Sequence, residues 1–199
     1  MAERGVLIVV DLQVDFCPGG SLAVPEGGTI VPVINCYIEL FRGKGLPIIA
    51  SRDWHPPVTA HFRQFGGLWP PHCIQESAGA RFHPDLRLPE DVIVVSKGID
   101  PDKDDYSALR AALPSGLPFA DYLQQTGVTH LYICGLATDY CVKMTAVDAL
   151  LAHYRVTVLI DAVKGVDLEP GDAARALEEI AAAGGEFADL ATLPGERKG

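Results

Sequence analysis

Apolar residues fall along this chain in short, nearly unbroken runs, separated by stretches where they recur every three or four positions. Residues 6–10, 47–50, 92–95, 131–134 and 156–160 form the runs. They do not alternate with polar residues, as expected of parallel strands covered on both faces. Between them, residues 30–41 place Ile30, Val33, Ile34, Tyr37 and Phe41 on one helical face, and residues 140–154 do the same with Met144, Val147, Leu150, Leu151 and Tyr154. Residues 173–183 are strong helix formers ended by Gly184-Gly185, and a weaker sixth strand is expected near 187–190. Strand–helix alternation of this kind predicts an α/β fold: a six-stranded parallel sheet, Rossmann-like, with helices on both faces. Two connections break the pattern. Residues 52–91 are rich in proline with no clear helix or strand, and residues 100–117 form a shorter irregular stretch. Loops this long inside a compact domain are usually functional.

Length makes this one domain, 1–199, since a chain of 199 residues is short for two at roughly 150 residues each. Sixteen basic against 26 acidic residues leave a net charge of −10. Nucleic acid or an anionic membrane surface would repel such a chain. No apolar stretch approaches a membrane span, and the opening Met-Ala-Glu-Arg with its five-residue apolar run lacks the pattern of a secretory signal. A cytoplasmic protein acting on a small molecule is the expectation, with a homo-oligomer left open. Five cysteines, an odd number without a Cys-x-x-Cys pair, suit free thiols rather than a disulfide framework or a Cys-rich zinc site.

Ligands of open parallel sheets bind beyond the carboxyl ends of the strands, so the residues that follow each run are the ones to question. Asp11 follows the first, Asp53-Trp54-His55 the second and Lys97 the third. The fourth is followed by Gly135-Leu136-Ala137-Thr138-Asp139-Tyr140-Cys141, which runs into a helix. With Thr138 as N-cap, Cys141 lies in the first turn, where the helix dipole and a nearby Lys97 ammonium would favour its thiolate. Asp11 could then take the thiol proton and return it to a leaving group. Taken singly, a cysteine is most often a small buried hydrophobe, an Asp a turn residue and a Lys a solvated charge. Their joint occurrence at strand ends weakens those readings.

A second constellation is Asp53 and His55, which point to one side of an extended segment, with His72 in Trp69-Pro70-Pro71-His72-Cys73. One carboxylate and two imidazoles suit a divalent ion: zinc, iron or manganese. His61 is an additional candidate from the same loop, whereas His83, His130 and His153 are read as structural.

Together, Asp11-Leu12-Gln13-x-Asp15-Phe16, Arg52-Asp53-Trp54-His55-Pro56, Trp69-Pro70-Pro71-His72-Cys73, Lys97-Gly98 and Gly135-x-Ala137-Thr138-Asp139-x-Cys141-Val142 resemble the nicotinamidase branch of the isochorismatase-like cysteine hydrolases. The resemblance spans nearly the whole chain. It implies a triad of Cys141 as nucleophile, Asp11 as proton acceptor and donor, and Lys97 supporting both charges. It implies a cis peptide between Leu136 and Ala137 that turns the Ala137 and Cys141 amides into an oxyanion hole. Phe16, Trp69 and Tyr106 match positions that enclose a flat ring, and His61 matches a position that coordinates metal in some members. The implied activity is hydrolysis of nicotinamide, and of pyrazinamide, in NAD salvage. A divalent ion, zinc first, would bind the pyridine nitrogen.

Three other readings compete. An amidase acting on carbamoyl or ureido acids would share the triad without the metal set. In a metal–water hydrolase, Cys141 would be structural. A dinucleotide-binding module is disfavoured, because no Gly-x-Gly-x-x-Gly follows the first run.

Overall fold

A computed structural model describes residues 4–193; residues 1–3 and 194–199, the two ends of the expected domain, lie outside them. In chain order the elements are β1 (Gly5–Val10), α1 (Val31–Gly43), β2 (Ile48–Asp53), β3 (Ile93–Lys97), α2 (Phe119–Thr126), β4 (His130–Leu136), α3 (Lys143–Leu151), β5 (Arg155–Lys164), α4 (Asp172–Ala182) and β6 (Glu186–Ala188). The strands form one parallel sheet in the order β3-β2-β1-β4-β5-β6. The order reverses between β1 and β4, which makes that gap the topological switch point where such sheets bind ligands. Among the described residues, no helix is long and apolar enough to cross a membrane.

Both faces of the sheet are covered, which is why the strands carry no polar alternation. Leu7 and Val9 of β1 pack toward α1, whose Ile34, Tyr37, Ile38 and Phe41 recur at helical spacing. Val6, Ile8 and Val10 pack the opposite way, against Phe119 and Leu123 of α2, Ala146 and Ala149 of α3, and Ile180 of α4. Burying each large apolar side chain contributes roughly 1.5–3 kcal/mol, so the two layers hold the sheet between them and leave its carboxyl edge for chemistry.

The structure departs from the sequence pattern in several places; β5, for one, runs on to Lys164 and β6 ends at Ala188. Strands β2 and β3 run past their apolar residues to Asp53 and Lys97, which lie opposite each other in the ladder. Charged residues extend the strands here because their backbones still pair, a property side-chain hydropathy does not report. Helix α2 is absent from the sequence reading; only Phe119 and Leu123 mark its buried face, before Gly127 closes it in a left-handed turn. Finally, Thr138 is not an N-cap. The cap position is Ala137, and Thr138 opens a π-helical turn, Thr138–Val142, that leads into α3. The wider turn arises because the Val142 amide reaches back five residues to the Ala137 carbonyl, at 3.0 Å. Residues 54–92 contain, besides isolated bridges, a single 3-10 turn at Arg63–Phe65.

Candidate active site

At the switch point, Asp11 turns out of β1 with φ 47°, and Ser51 donates to its Oδ1 at 2.7 Å. Lys97, at the end of β3, is fully buried and reaches across to this turn. Its ammonium lies 2.9 Å from Asp11 Oδ2, contacts Asp53 Oδ1, and lies 3.4 Å from Cys141 Sγ. One cation thus binds two carboxylates and the thiol. Burial alone would lower the Lys97 pKa, but Asp11 and Asp53 raise it well above the usual range. Burial raises the Asp11 carboxyl, with Lys97 opposing. It also pushes the Cys141 thiol well above its ordinary value, again against the pull of Lys97. An Asp11 oxygen and the sulfur lie within 4.8 Å of each other, close enough for a short proton path.

The second constellation assembles beside the first. Asp53 Oδ2, the oxygen that Lys97 leaves free, is 3.8 Å from His55 Nε2 and 3.9 Å from His72 Nε2. His61 joins them: His55, His61 and His72 are all buried and bring one ring nitrogen each within 4.8 Å of the others. Each ring is fastened through Nδ1, His55 to the Gly98 carbonyl at 3.0 Å, His72 to the Pro70 carbonyl at 2.8 Å and His61 to the Asp104 carboxylate. With Nδ1 engaged, Nε2 is the nitrogen each ring has left to offer an ion, the arrangement second-shell partners give metal-binding histidines. Burial lowers the His61 pKa, and takes that of His72 down to about 4 against the pull of Asp53.

A cation fits these donors. His55 Nε2 is buried without a hydrogen-bond partner among the described residues, which is costly unless an ion takes it. Two donors on one ion span at most about 4.2 Å, and the Asp53 separations fall within that.

Both constellations face one cavity, with about 420 Å³ of empty space including its open mouth. Phe16, Trp69 and Tyr106 line it, along with Ala137, Cys141, His61 and His72. Trp69 Nε1 donates to the Tyr106 hydroxyl at 2.9 Å, which ties two loops into one wall. The Leu136–Ala137 peptide is cis. Sequence reasoning missed Tyr140, which meets Trp69 edge-on with ring centroids 5.1 Å apart and also lines the cavity; its place beside Cys141 was the available signal. It also missed Ser51 and Asp104, which contact the site through partners far away in the chain and leave no local trace.

A Rossmann-like sheet with a buried cysteine, lysine and carboxylate at its switch point, beside a histidine cluster, defines the structural class. The chain belongs to the isochorismatase family, whose domain model, "Isochorismatase domain", matches residues 5–192. It is 41% identical over 201 residues to a nicotinamidase of Escherichia coli (strain K12), covering 93% of this chain and 94% of the relative. Among solved structures, the pyrazinamidase of Pyrococcus horikoshii in complex with zinc superposes with a TM-score of 0.86 at 47% identity, covering 94% of this chain and 99% of that one. PnC1 from L. infantum in complex with nicotinate gives a TM-score of 0.86 at 35% identity, covering 97% and 96%.

Proposed function

We propose that this protein is an amidohydrolase that converts nicotinamide and water to nicotinate and ammonia in NAD salvage, and that it also accepts pyrazinamide. The observation that carries the reading is the Lys97 ammonium between Asp11 and Cys141, 2.9 Å from one and 3.4 Å from the other. Similarity to a nicotinamidase over nearly the full length of both chains supports the substrate. Phe16, Trp69 and Tyr106 would enclose the flat ring.

In this mechanism Cys141 Sγ attacks the amide carbonyl as its proton passes to Asp11, whose carboxyl pKa is raised above its ordinary value by burial. Lys97 offsets the negative charge as it moves between carboxylate and sulfur. The Ala137 and Cys141 amides stabilise the tetrahedral oxyanion. Asp11 then protonates the departing nitrogen, ammonia leaves, and a thioester remains on Cys141. In the second half Asp11 takes a proton from the attacking water, the C–S bond breaks to release nicotinate, and Asp11 returns the proton to the sulfur. Asp53, His55, His61 and His72 would hold a divalent ion, which we take as zinc, supported by the nitrogen and oxygen donors and by zinc in the Pyrococcus relative. When bound, the ion would supply a Lewis-acid position for the ring nitrogen. We place the protein in the reducing cytoplasm, which suits its five free cysteines.

An ammonia-release assay on nicotinamide tests the activity, and Cys141→Ala tests the mechanism. That variant should keep its fold and metal content and lose turnover. Appreciable activity without the sulfur would sink the covalent pathway.

A further inference from the structure

Gln13 sits between Asp11 and Asp15, is fully buried, and has no part in the chemistry above. Its side chain is nevertheless saturated. Nε2 donates to the Asp53 carbonyl at 2.8 Å and to the Ala80 carbonyl at 2.9 Å, while Oε1 accepts from the Asp53 amide at 2.8 Å. The amide therefore grips the Asp53 backbone from both sides.

The reason lies in where β1 leaves the sheet. The Asp11 amide makes the last rung to β2, donating to the Ser51 carbonyl at 3.2 Å. In a parallel ladder the next rung would run from the Asp53 amide to the Asp11 carbonyl. That carbonyl is already taken, because the left-handed turn at Asp11 brings the Gln13 amide onto it at 2.8 Å. The same turn lets the Asp11 carboxylate reach Lys97. Without a substitute, the Asp53 peptide groups would be left buried and unpaired on that side, and nothing there would fix the residue. The Gln13 side chain supplies the missing rung.

We infer that Gln13 is a positioning residue for the metal site: it replaces the backbone partner that Asp11 gives up and so holds the Asp53 carboxylate between Lys97 and the histidines. The inference rests on the reading of the histidine cluster as a metal site. Toward the metal site Gln13 acts through the Asp53 backbone, while its bond to the Ala80 carbonyl anchors the amide.

The test is the zinc dissociation constant of the full-length chain, measured by chelator competition. It compares wild type, Gln13→Leu and Gln13→Glu, and then repeats both substitutions in an Asp53→Ala background. Losing an outer-shell partner typically weakens metal binding about 10–100-fold, and each single variant should do so. In the Asp53→Ala background there is no carboxylate to place, so either change at Gln13 should shift the constant less than about threefold, the signature of a coupled pair. A residue important only for packing would instead lower the melting temperature in both backgrounds and leave zinc affinity unmoved, and that result overturns the inference. If Gln13→Leu fails to fold, Gln13→Glu, which keeps the shape and an acceptor oxygen, carries the comparison. One readout needs no variant: the side-chain NH2 resonances of Gln13 in wild type should shift when zinc is added, and unmoved signals count against the clamp. Wild-type chain that holds no zinc would overturn the metal reading and the clamp together. Zinc held equally by wild type and variants overturns the clamp alone.

Discussion

Lys97 is the residue on which most of the site's electrostatics depend. A buried ammonium is tolerable only when paired, and here two carboxylates pair it. Removing it with Lys97→Ala leaves Asp11 and Asp53 facing each other uncompensated, while Asp11→Asn removes the proposed proton acceptor and keeps the shape. Each should lower turnover of nicotinamide by about 10²–10⁴-fold, the usual contribution of a positioned acid–base group, and steady-state rates check this. A variant within tenfold of wild type would remove that residue from the mechanism. Gly98 matters for a different reason. It adopts φ +66°, and a Cβ there would lie 2.7 Å from His55 Nδ1. Gly98→Ala should cost about 1–2 kcal/mol of stability from the left-handed backbone and displace the His55 ring. Thermal melting should report the first effect, and zinc retained after dialysis the second.

At the level of elements, the site is assembled from strand ends braced by loops. β2 and β3 present Asp53 and Lys97 side by side, while the π-helical turn after β4 delivers Cys141. Loops complete the cavity. Asp15 accepts from the Cys73 amide at 2.7 Å, fastening the segment that carries His72 to the turn that carries Phe16. The Trp69–Tyr106 bond does the same for the opposite wall. Tyr106→Phe keeps the ring and removes the acceptor of the Trp69 N–H. A lost hydrogen bond of about 1 kcal/mol should raise the KM for nicotinamide roughly fivefold and leave kcat nearly unchanged. A fall in kcat with KM constant would instead place Tyr106 in the chemistry.

For the whole molecule, the proposed mechanism divides the work between the two buried constellations, one for the amide and one for the ring. Nicotinamide and pyrazinamide carry a nitrogen meta to the carboxamide, and benzamide has the same shape without it. Benzamide should therefore be a poor substrate of the zinc-loaded protein. Stripping the metal, by chelation or by His72→Ala, should remove most nicotinamide activity while changing the small benzamide rate much less. A metal that generated hydroxide would be needed equally for both amides. Equal rates on benzamide and nicotinamide in wild type would remove the ring nitrogen from recognition.

Much of this was readable from the chain, and the limits have physical causes. The order of strands and helices follows from apolar runs and periods because burial of side chains sets both. Asp11, Asp53, Lys97 and Cys141 stand out because an open parallel sheet exposes its chemistry where strands end. What side-chain hydropathy cannot carry is backbone pairing, so it stopped β2 and β3 short of Asp53 and Lys97, and the weak two-residue stripe of α2 went unread. Contacts between distant segments are equally silent in a sequence: Asp104 on His61, Ser51 on Asp11 and the Gln13 amide on Asp53 exist only once the chain is folded. The Cys141 pKa is shaped at the same level: local spacing places the residue near a helix terminus, but the burial that raises its thiol against the pull of Lys97 comes from the whole fold packed around it.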